Sequence, residues 1–205
     1  MLLVENLSFA HQHRTLFSKI NFQLNNGELL HISGRNGSGK TTLLSLLAGL
    51  RKPRSGSILF HDQNMSILDA QNVIAYLAAE HNGLYLQMSA RDNLKFWSEF
   101  KGEKDSSKLI DAILNHWGLG STYLDKIPVA RFSTGMKRRL GLARIELLRK
   151  PFILLDEPFN GLDTEGIQIL LKMLEKSLQK GGSLVLVSHE IKIFESLITK
   201  KIALS

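Results

Sequence analysis

The chain of 205 residues contains no cysteine. This absence excludes a disulfide framework, a cysteine-ligated zinc site and a thiol nucleophile, and it is compatible with a reducing compartment. No stretch reaches the roughly 18 apolar residues that a membrane-spanning helix needs. Residues 1–6 show no basic segment leading into a long apolar one, so we predict no signal peptide and a cytoplasmic location.

The overall composition is that of an ordinary folded protein, with 43% hydrophobic and 22% charged residues. These values exclude a disordered or a collagen-like chain. Lysine and arginine number 26 against 19 aspartates and glutamates, which gives a net charge of +7. Such a balance favours acidic partners, namely nucleotides, nucleic acid or an anionic membrane surface, but it indicates nothing about the fold.

Hydrophobic periodicity alternates between strand and helix at both ends of the chain and is helical in the middle. The predicted strands are 4–9, 20–24, 28–33, 57–61, 152–156, 183–188 and 201–204. The predicted helices are 40–50, 89–100, 108–117, 133–150 and 164–179. We therefore predict one α/β domain over 1–205, with a core formed by 1–80 and 151–205 and a helical subdomain inserted at 81–150.

A glycine-rich segment follows the third predicted strand and precedes a predicted helix. It consists of Gly34, Arg35, Asn36, Gly37, Ser38, Gly39, Lys40, Thr41 and Thr42. The segment matches G-x-x-x-x-G-K-[ST], in which backbone amides surround a phosphate, the lysine reaches the β- and γ-phosphates and the threonine hydroxyl binds Mg²⁺. A glycine turn without a ligand is the alternative, but the flanking strand and helix favour a phosphate-binding loop.

The apolar strand 152–156 ends in two carboxylates, Asp156 and Glu157. Ligands of parallel sheets bind at the carboxyl ends of strands, so both side chains are expected beside the phosphates. Asp156 is predicted to hold Mg²⁺, directly or through water. Glu157 is predicted to act as the general base that polarises the attacking water. The alternative is a strand that leads into an acidic turn without function. The glycine-rich segment upstream favours the metal-binding and catalytic interpretation.

Three further segments occur in a characteristic order: FSTGM at 132–136 with the basic run 137–140 behind it, NGLD at 160–163, and Ser-His at 188–189. They resemble the LSGGQ signature, the D-loop and the switch histidine of ATP-binding-cassette (ABC) ATPases. The resemblance extends over essentially the whole chain. It implies a P-loop NTPase core, with a RecA-like mixed sheet and an N-terminal antiparallel β region, and an inserted α-helical subdomain.

The resemblance also implies the chemistry and the assembly. ATP and Mg²⁺ would be the bound species, and two copies would close head to tail around two Mg·ATP. Ser133, capping its helix, and Gly135 would contact the γ-phosphate held by the other copy. Asp163 belongs to the D-loop segment. His189 would contact the γ-phosphate and help to position the attacking water.

Besides Thr134 and Met136, which replace the second glycine and the glutamine of the signature, two positions depart from the family pattern. The aromatic residue that stacks on adenine is replaced by His11, with Phe9 as a nearby alternative. The glutamine of the Q-loop is replaced by His81, and Gln87 lies too far along the chain to substitute for it with assurance. Base selectivity and the coupling of hydrolysis are therefore open at this point.

The family contains transporter subunits and soluble ATPases that act on nucleic acid or ribosomes. The chain carries one cassette and no long coiled coil, which favours a transporter subunit with a separate membrane protein as its partner and no direct nucleic-acid binding. The segments 14–17, 81–97 and 156–159 look like those of the cytochrome c maturation haem-exporter ATPases. Phe96 and Trp97 either line a groove for a helix of the membrane subunit or belong to the core.

Replacing His81 tests whether this departure from the family pattern affects ATP hydrolysis. His81→Gln is expected to change the ATPase rate or its metal dependence, because an amide oxygen is a better Mg²⁺ ligand than a neutral imidazole. Steady-state phosphate release would be measured with Mg²⁺ and with Mn²⁺. Equal rates and an equal metal preference in both proteins would show that this departure has no effect.

Overall fold

The structure, a computed structural model, describes residues 1–11, 14–60, 63–64, 72–80, 82–102 and 106–204. The chain forms two compact units. The sheet unit contains Met1–Tyr76, Lys150–Glu157 and Glu175–Ser205, and the helical unit contains Leu77–Arg149 and Pro158–Leu174. The segment 158–174, which the sequence analysis assigned to the core, thus groups with the helical unit. The predicted domain boundaries at 80 and 151 stay a prediction.

An antiparallel sheet forms the N-terminal part of the sheet unit. Its strands are β1 (Leu2–His11), β2 (Arg14–Leu24), β4 (Ser55–Phe60) and β5 (Gln63–Asn64), in the order β2-β1-β4-β5. β1 and β2 are longer than predicted because their pairing continues through register shifts. Asn6 and Lys19 have positive φ angles of 49° and 52° in these strands. Such irregularities break the period of two by which a strand is recognised.

The second sheet has the order β6-β7-β8-β3-β9. Its strands are β3 (Leu29–Gly34), β6 (Ile74–Leu77), β7 (Phe152–Asp156), β8 (Ser183–Val187) and β9 (Lys200–Leu204). β7, β8, β3 and β9 pair in parallel with their neighbours. Every residue of β7 and β8 is buried, which explains why both appear in the sequence as unbroken apolar runs.

Helix α1 (Lys40–Leu47) supplies much of the core of the sheet unit. It ends three residues earlier than predicted, because the chain turns at Gly49, whose φ is 70°. Its buried side chains are Leu43, Leu44, Ser45, Leu46 and Leu47. The four leucines share one apolar cluster with residues of both sheets, in which the rings of Phe60 and Phe152 meet edge to face at 4.9 Å.

The helical unit is built around α2 (Ala90–Phe100), α3 (Ser107–His116) and α4 (Thr134–Leu148), and α5 (Thr164–Gln179) begins in it. Ser89 is the N-cap of α2, since its hydroxyl accepts the Asp92 amide at 3.1 Å. Trp117 is fully buried and donates its indole N–H to Glu146 at 2.8 Å. Among the described residues, no helix combines the length and the apolar character required to cross a membrane.

Candidate nucleotide-binding site

The glycine-rich segment forms a tight loop between β3 and α1, as the sequence predicts. Gly34 has a φ of 148°, and a Cβ there would collide with the Leu204 carbonyl oxygen of the neighbouring strand. Gly39 has a φ of 96°, and a Cβ there would lie 3.0 Å from the Phe17 ring. Backbone conformation and close packing thus both require glycine at these two positions. Arg35, Asn36 and Gly37 form the exposed tip of the loop.

Lys40 lies in the first turn of α1, with its ammonium group turned back over the loop. Its Nζ donates to the carbonyl oxygens of Gly34 at 2.7 Å and Arg35 at 3.1 Å. The loop is further closed by the Ser38 amide, which donates to the Arg35 carbonyl oxygen at 3.1 Å. A positive charge is therefore held beside backbone amides at the start of a helix, an arrangement that suits a phosphate.

Thr41 and Asp156 bring two oxygen donors together. The Thr41 hydroxyl donates to Asp156 Oδ2 at 2.6 Å, and Asp156 is only 1% exposed. The pKa of the neighbouring Tyr76 is raised to about 12, mainly by burial of its phenol and secondly by the negative charge of Asp156, so the phenol stays neutral. A hydroxyl and a carboxylate are the hard ligands that Mg²⁺ prefers, so the two residues fit this ion.

Glu157 and His189 meet at the carboxyl ends of β7 and β8. His189 Nε2 lies 3.5 Å from Glu157 Oε1, and the His189 amide donates to Glu157 Oε2 at 3.4 Å. Glu157 is mostly buried, whereas the side chain of His189 is 61% exposed. The φ of Glu157 is 47°, a left-handed conformation that costs a non-glycine residue about 1–3 kcal/mol. Strain of this kind is concentrated at functional sites.

His31 supports the end of β8 and was not anticipated from the sequence. This buried residue of β3 has its Nε2 3.0 Å from the Ser188 carbonyl oxygen, so Nε2 carries the proton and donates. Its ring meets Phe194 edge to face at 5.6 Å. His31 therefore fixes the residue before His189. A polar side chain in an otherwise apolar strand was the available signal.

The signature segment begins α4, as predicted. Ser133 is its N-cap, with Oγ accepting the Met136 amide at 3.2 Å, and the hydroxyl proton remains a donor. A Cβ at Gly135 would lie 2.8 Å from the Gly161 carbonyl oxygen, so the absence of a side chain at Gly135 allows the helix start and the D-loop segment to approach closely.

The basic run behind the signature is largely buried. Arg139 donates to Asp163 Oδ1, to Glu165 Oε2 at 2.9 Å and to the Trp117 carbonyl oxygen at 3.1 Å. The hydrogen bond from Arg139, followed by that from the Gly166 amide, lowers the pKa of Asp163. Asp163 is thus bound to the signature helix within the helical unit. Read alone, the run 137–139 has the pattern of a solvated face, which is why sequence reasoning did not predict this ion pair.

Of the two histidines that replace family residues, the structure describes His11 and not His81. His11 is exposed at the end of β1 and pairs across the hairpin with Arg14. Phe9, the alternative for adenine stacking, packs partly buried against the core, with its ring 6.4 Å from that of Phe17. His81 lies outside the described residues.

Thr42, the last residue of the predicted phosphate-binding segment, lies within α1, where its carbonyl oxygen accepts the Ser45 hydroxyl at 2.7 Å.

Comparison with known proteins agrees with this geometry. The family model described as "ABC transporter" matches residues 17–160. A lantibiotic transport ATP-binding protein, SrtF of Streptococcus pyogenes, is 37% identical over 198 residues, which is 96% of this chain and 83% of the relative. The cytochrome c biogenesis ATP-binding export protein CcmA of Escherichia coli O157:H7 is 34% identical over 202 residues, 98% of this chain and 95% of the relative. The chain therefore belongs to the ABC transporter family, as an ATP-binding, ATP-hydrolysing subunit.

Solved structures show the same fold. The ATP-binding subunit of an ABC transporter aligns with a TM-score of 0.88 at 26% identity, over 100% of this chain and 85% of that one. The cassette MJ0796, in a dimeric post-hydrolysis state with ADP and Pi, aligns with a TM-score of 0.84 at 22% identity, over 100% and 94%. The predicted α/β P-loop fold is thereby confirmed.

Removing the loop lysine tests the phosphate site. Lys40→Ala should weaken ATP binding by about 10- to 100-fold, since a charge-assisted hydrogen bond contributes about 1.5–3 kcal/mol. Affinity would be measured by titration with a fluorescent ATP analogue. The exposed Lys52, in the same unit, offers the matched control Lys52→Ala, which should bind as the wild type does. Unchanged affinity in the Lys40 variant would refute the assignment.

Proposed function

We propose that the chain is the energy-converting subunit of an exporter and powers a separate membrane protein by ATP-driven closure of a dimer. The observation that carries this proposal is the grouping of Lys40, Thr41, Asp156, Glu157 and His189 in the sheet unit. Phosphate-binding, metal-binding and proton-accepting groups are there together at the carboxyl edge of one sheet.

The hydrolytic step follows from these groups. Glu157 accepts a proton from water as the water oxygen bonds to the γ-phosphorus, and the bond to the oxygen bridging the β- and γ-phosphates breaks to leave ADP. Lys40 and the loop amides neutralise the phosphates, and His189 positions Glu157 and the γ-phosphate. Thr41 and Asp156 would hold Mg²⁺, which would supply further neutralisation of phosphate charge.

Dimer closure is proposed because the signature groups lie at the N-terminus of α4, where backbone amides and the Ser133 hydroxyl suit an anion. Ser133 and Gly135 begin α4 in the helical unit, and the Arg139–Asp163 pair holds the D-loop segment beside them. In this proposal they complete the ATP site of a second copy, and His11 faces the adenine. Binding of ATP joins the two copies, and loss of phosphate releases them. The helical subdomain proposed to carry the signature is 81–150, inserted in a core of 1–80 and 151–205.

The helical unit also offers a surface for the membrane partner. A groove of about 520 Å³ is lined mainly by Gly83, Leu84, Tyr85, Leu86, Trp97 and Lys137. Phe96 lies next to it, with its ring 4.6 Å from that of Tyr85. Exposed aromatic and aliphatic side chains beside a cation suit an amphipathic helix. We propose that a cytoplasmic helix of the membrane subunit binds here, which holds the chain at the inner face of the membrane.

Two cargoes are supported by relatives. Haem export for cytochrome c biogenesis is favoured by the near-complete mutual coverage with the export protein CcmA and by the similar segments at 14–17 and 156–159. Lantibiotic transport is the second candidate, because SrtF is 37% identical. The net charge of +7 does not distinguish the two cargoes, because a basic protein is attracted to nucleotides and to anionic lipid in both cases.

Replacing the proposed base gives the sharpest test of the chemistry. Glu157→Gln should bind ATP normally, lose about 10²- to 10⁴-fold in hydrolysis and accumulate as an ATP-bound dimer, because the amide cannot accept the proton. Light scattering would report the dimer and phosphate release the rate. The exposed Glu175 of the same unit allows the control Glu175→Gln, which should hydrolyse ATP like the wild type. Wild-type hydrolysis by Glu157→Gln would overturn the assignment.

The partner class is tested by stimulation of the ATPase. The chain, purified with its membrane subunit in vesicles, should hydrolyse ATP faster than alone, and haemin should increase the rate further. Stimulation by a lantibiotic peptide instead would select the second cargo. Stimulation by DNA or ribosomes, without any effect of the membrane subunit, would contradict the transporter proposal.

A further inference from the structure

Arg138 makes a set of contacts that the proposed chemistry does not use. It follows the signature segment in α4 and is only 3% exposed. Its Nη1 donates to the Ala78 carbonyl oxygen at 2.9 Å and to Asn82 Oδ1 at 3.0 Å, and its Nε donates to the Pro158 carbonyl oxygen at 3.3 Å. One guanidinium thus binds two backbone carbonyl oxygens and one side-chain oxygen of the helical unit.

The three residues that accept hydrogen bonds from Arg138 lie close in sequence to proposed site residues. Ala78 and Asn82 stand on either side of His81, and Pro158 is bonded directly to Glu157. Arg138 therefore holds the chain at Ala78, at Asn82 and at the residue immediately after the proposed base. A planar guanidinium can direct several N–H groups at separate oxygens, whereas a lysine ammonium on a flexible stem cannot reproduce this geometry.

The same face of α4 continues the contact with the segment after residue 81. A Cβ at Gly141 would lie 2.8 Å from Asn82 Cβ, and a Cβ at Gly83 would lie 3.0 Å from the Arg144 guanidinium. Arg144 in turn stacks over the Trp97 ring at 5.0 Å. Because residues 138, 141 and 144 are spaced by three, they lie along one side of the helix. The segment 82–83 is thus seated on this side of α4.

We propose that Arg138 is a positioning residue for ATP hydrolysis: from the signature helix it holds the chain at Pro158, the residue after Glu157, and at Ala78 and Asn82. The inference rests on the proposed function, since it needs Glu157 to be the base. In this proposal Arg138 acts through these neighbours rather than on the nucleotide itself. Its loss should therefore slow the chemical step and leave ATP binding intact.

The test compares Arg138→Gln and Arg138→Lys with wild type. Both variants should lower kcat by about tenfold or more, while the KM for ATP and the affinity for a fluorescent ATP analogue stay within about twofold. The matched control is Arg91→Gln, because Arg91 is likewise an arginine that joins separate segments of the helical unit. Its partners are the carboxylates of Asp111 at 2.6 Å and Asp125 at 3.0 Å. This control should lower the urea midpoint of unfolding without a comparable loss of kcat. All proteins would be assayed well below their unfolding midpoints.

Other outcomes are equally decisive. If kcat falls no further in the Arg138 variants than in Arg91→Gln, or if KM and affinity change as much as kcat, the proposal is wrong. Should the Arg138 variants fail to fold, Asn82→Ala removes one acceptor and should still lower kcat by about threefold or more at unchanged KM; an unchanged kcat would overturn the proposal. Glu157→Gln is assayed in parallel. Wild-type hydrolysis by that variant refutes the proposed base, whereas its inactivity beside active Arg138 variants refutes this inference alone.

Discussion

The hydrogen bond from Thr41 to Asp156 is the contact on which the arrangement of the sheet unit depends. It joins the first turn of α1 to the end of β7, and Lys40, one residue earlier, returns its ammonium to the loop carbonyls. The parallel register of β7, β8 and β3 brings the ends of these strands to one edge. Glu157 follows β7 directly and His189 follows β8 after Ser188, so the sheet brings both residues to this edge, where His31 holds the Ser188 carbonyl oxygen.

The helical unit has its own internal order. Ser133 caps α4, Gly135 allows the D-loop segment to approach, and Arg139 binds Asp163. The same helix also makes contacts of a different kind, because Arg138 and Gly141 both pack against Asn82. The groups proposed to bind phosphate in the sheet unit and the groups suited to an anion at the start of α4 therefore come from separate parts of the chain.

Sequence reasoning succeeded where local chemistry decides structure. The loop 34–42, the strand ending at Asp156 and the cap at Ser133 each need particular residue types at fixed spacing, and all three are present in the structure. It underestimated β1 and β2, because irregular pairing hides their periodicity.

Sequence reasoning also missed His31, Arg138 and Arg139, whose partners lie 20 to 157 residues away along the chain. Their burial follows from tertiary packing, which a run of basic residues or a single histidine does not reveal.

The central claim is that one copy provides only part of each ATP site and that the signature of a second copy completes it. The most direct measurement is the specific ATPase rate of the isolated chain as a function of its own concentration, at saturating ATP and constant ionic strength. The account predicts that the rate per molecule rises with concentration and levels off as dimers saturate. A rate per molecule that stays constant down to concentrations at which light scattering shows monomers alone would contradict it.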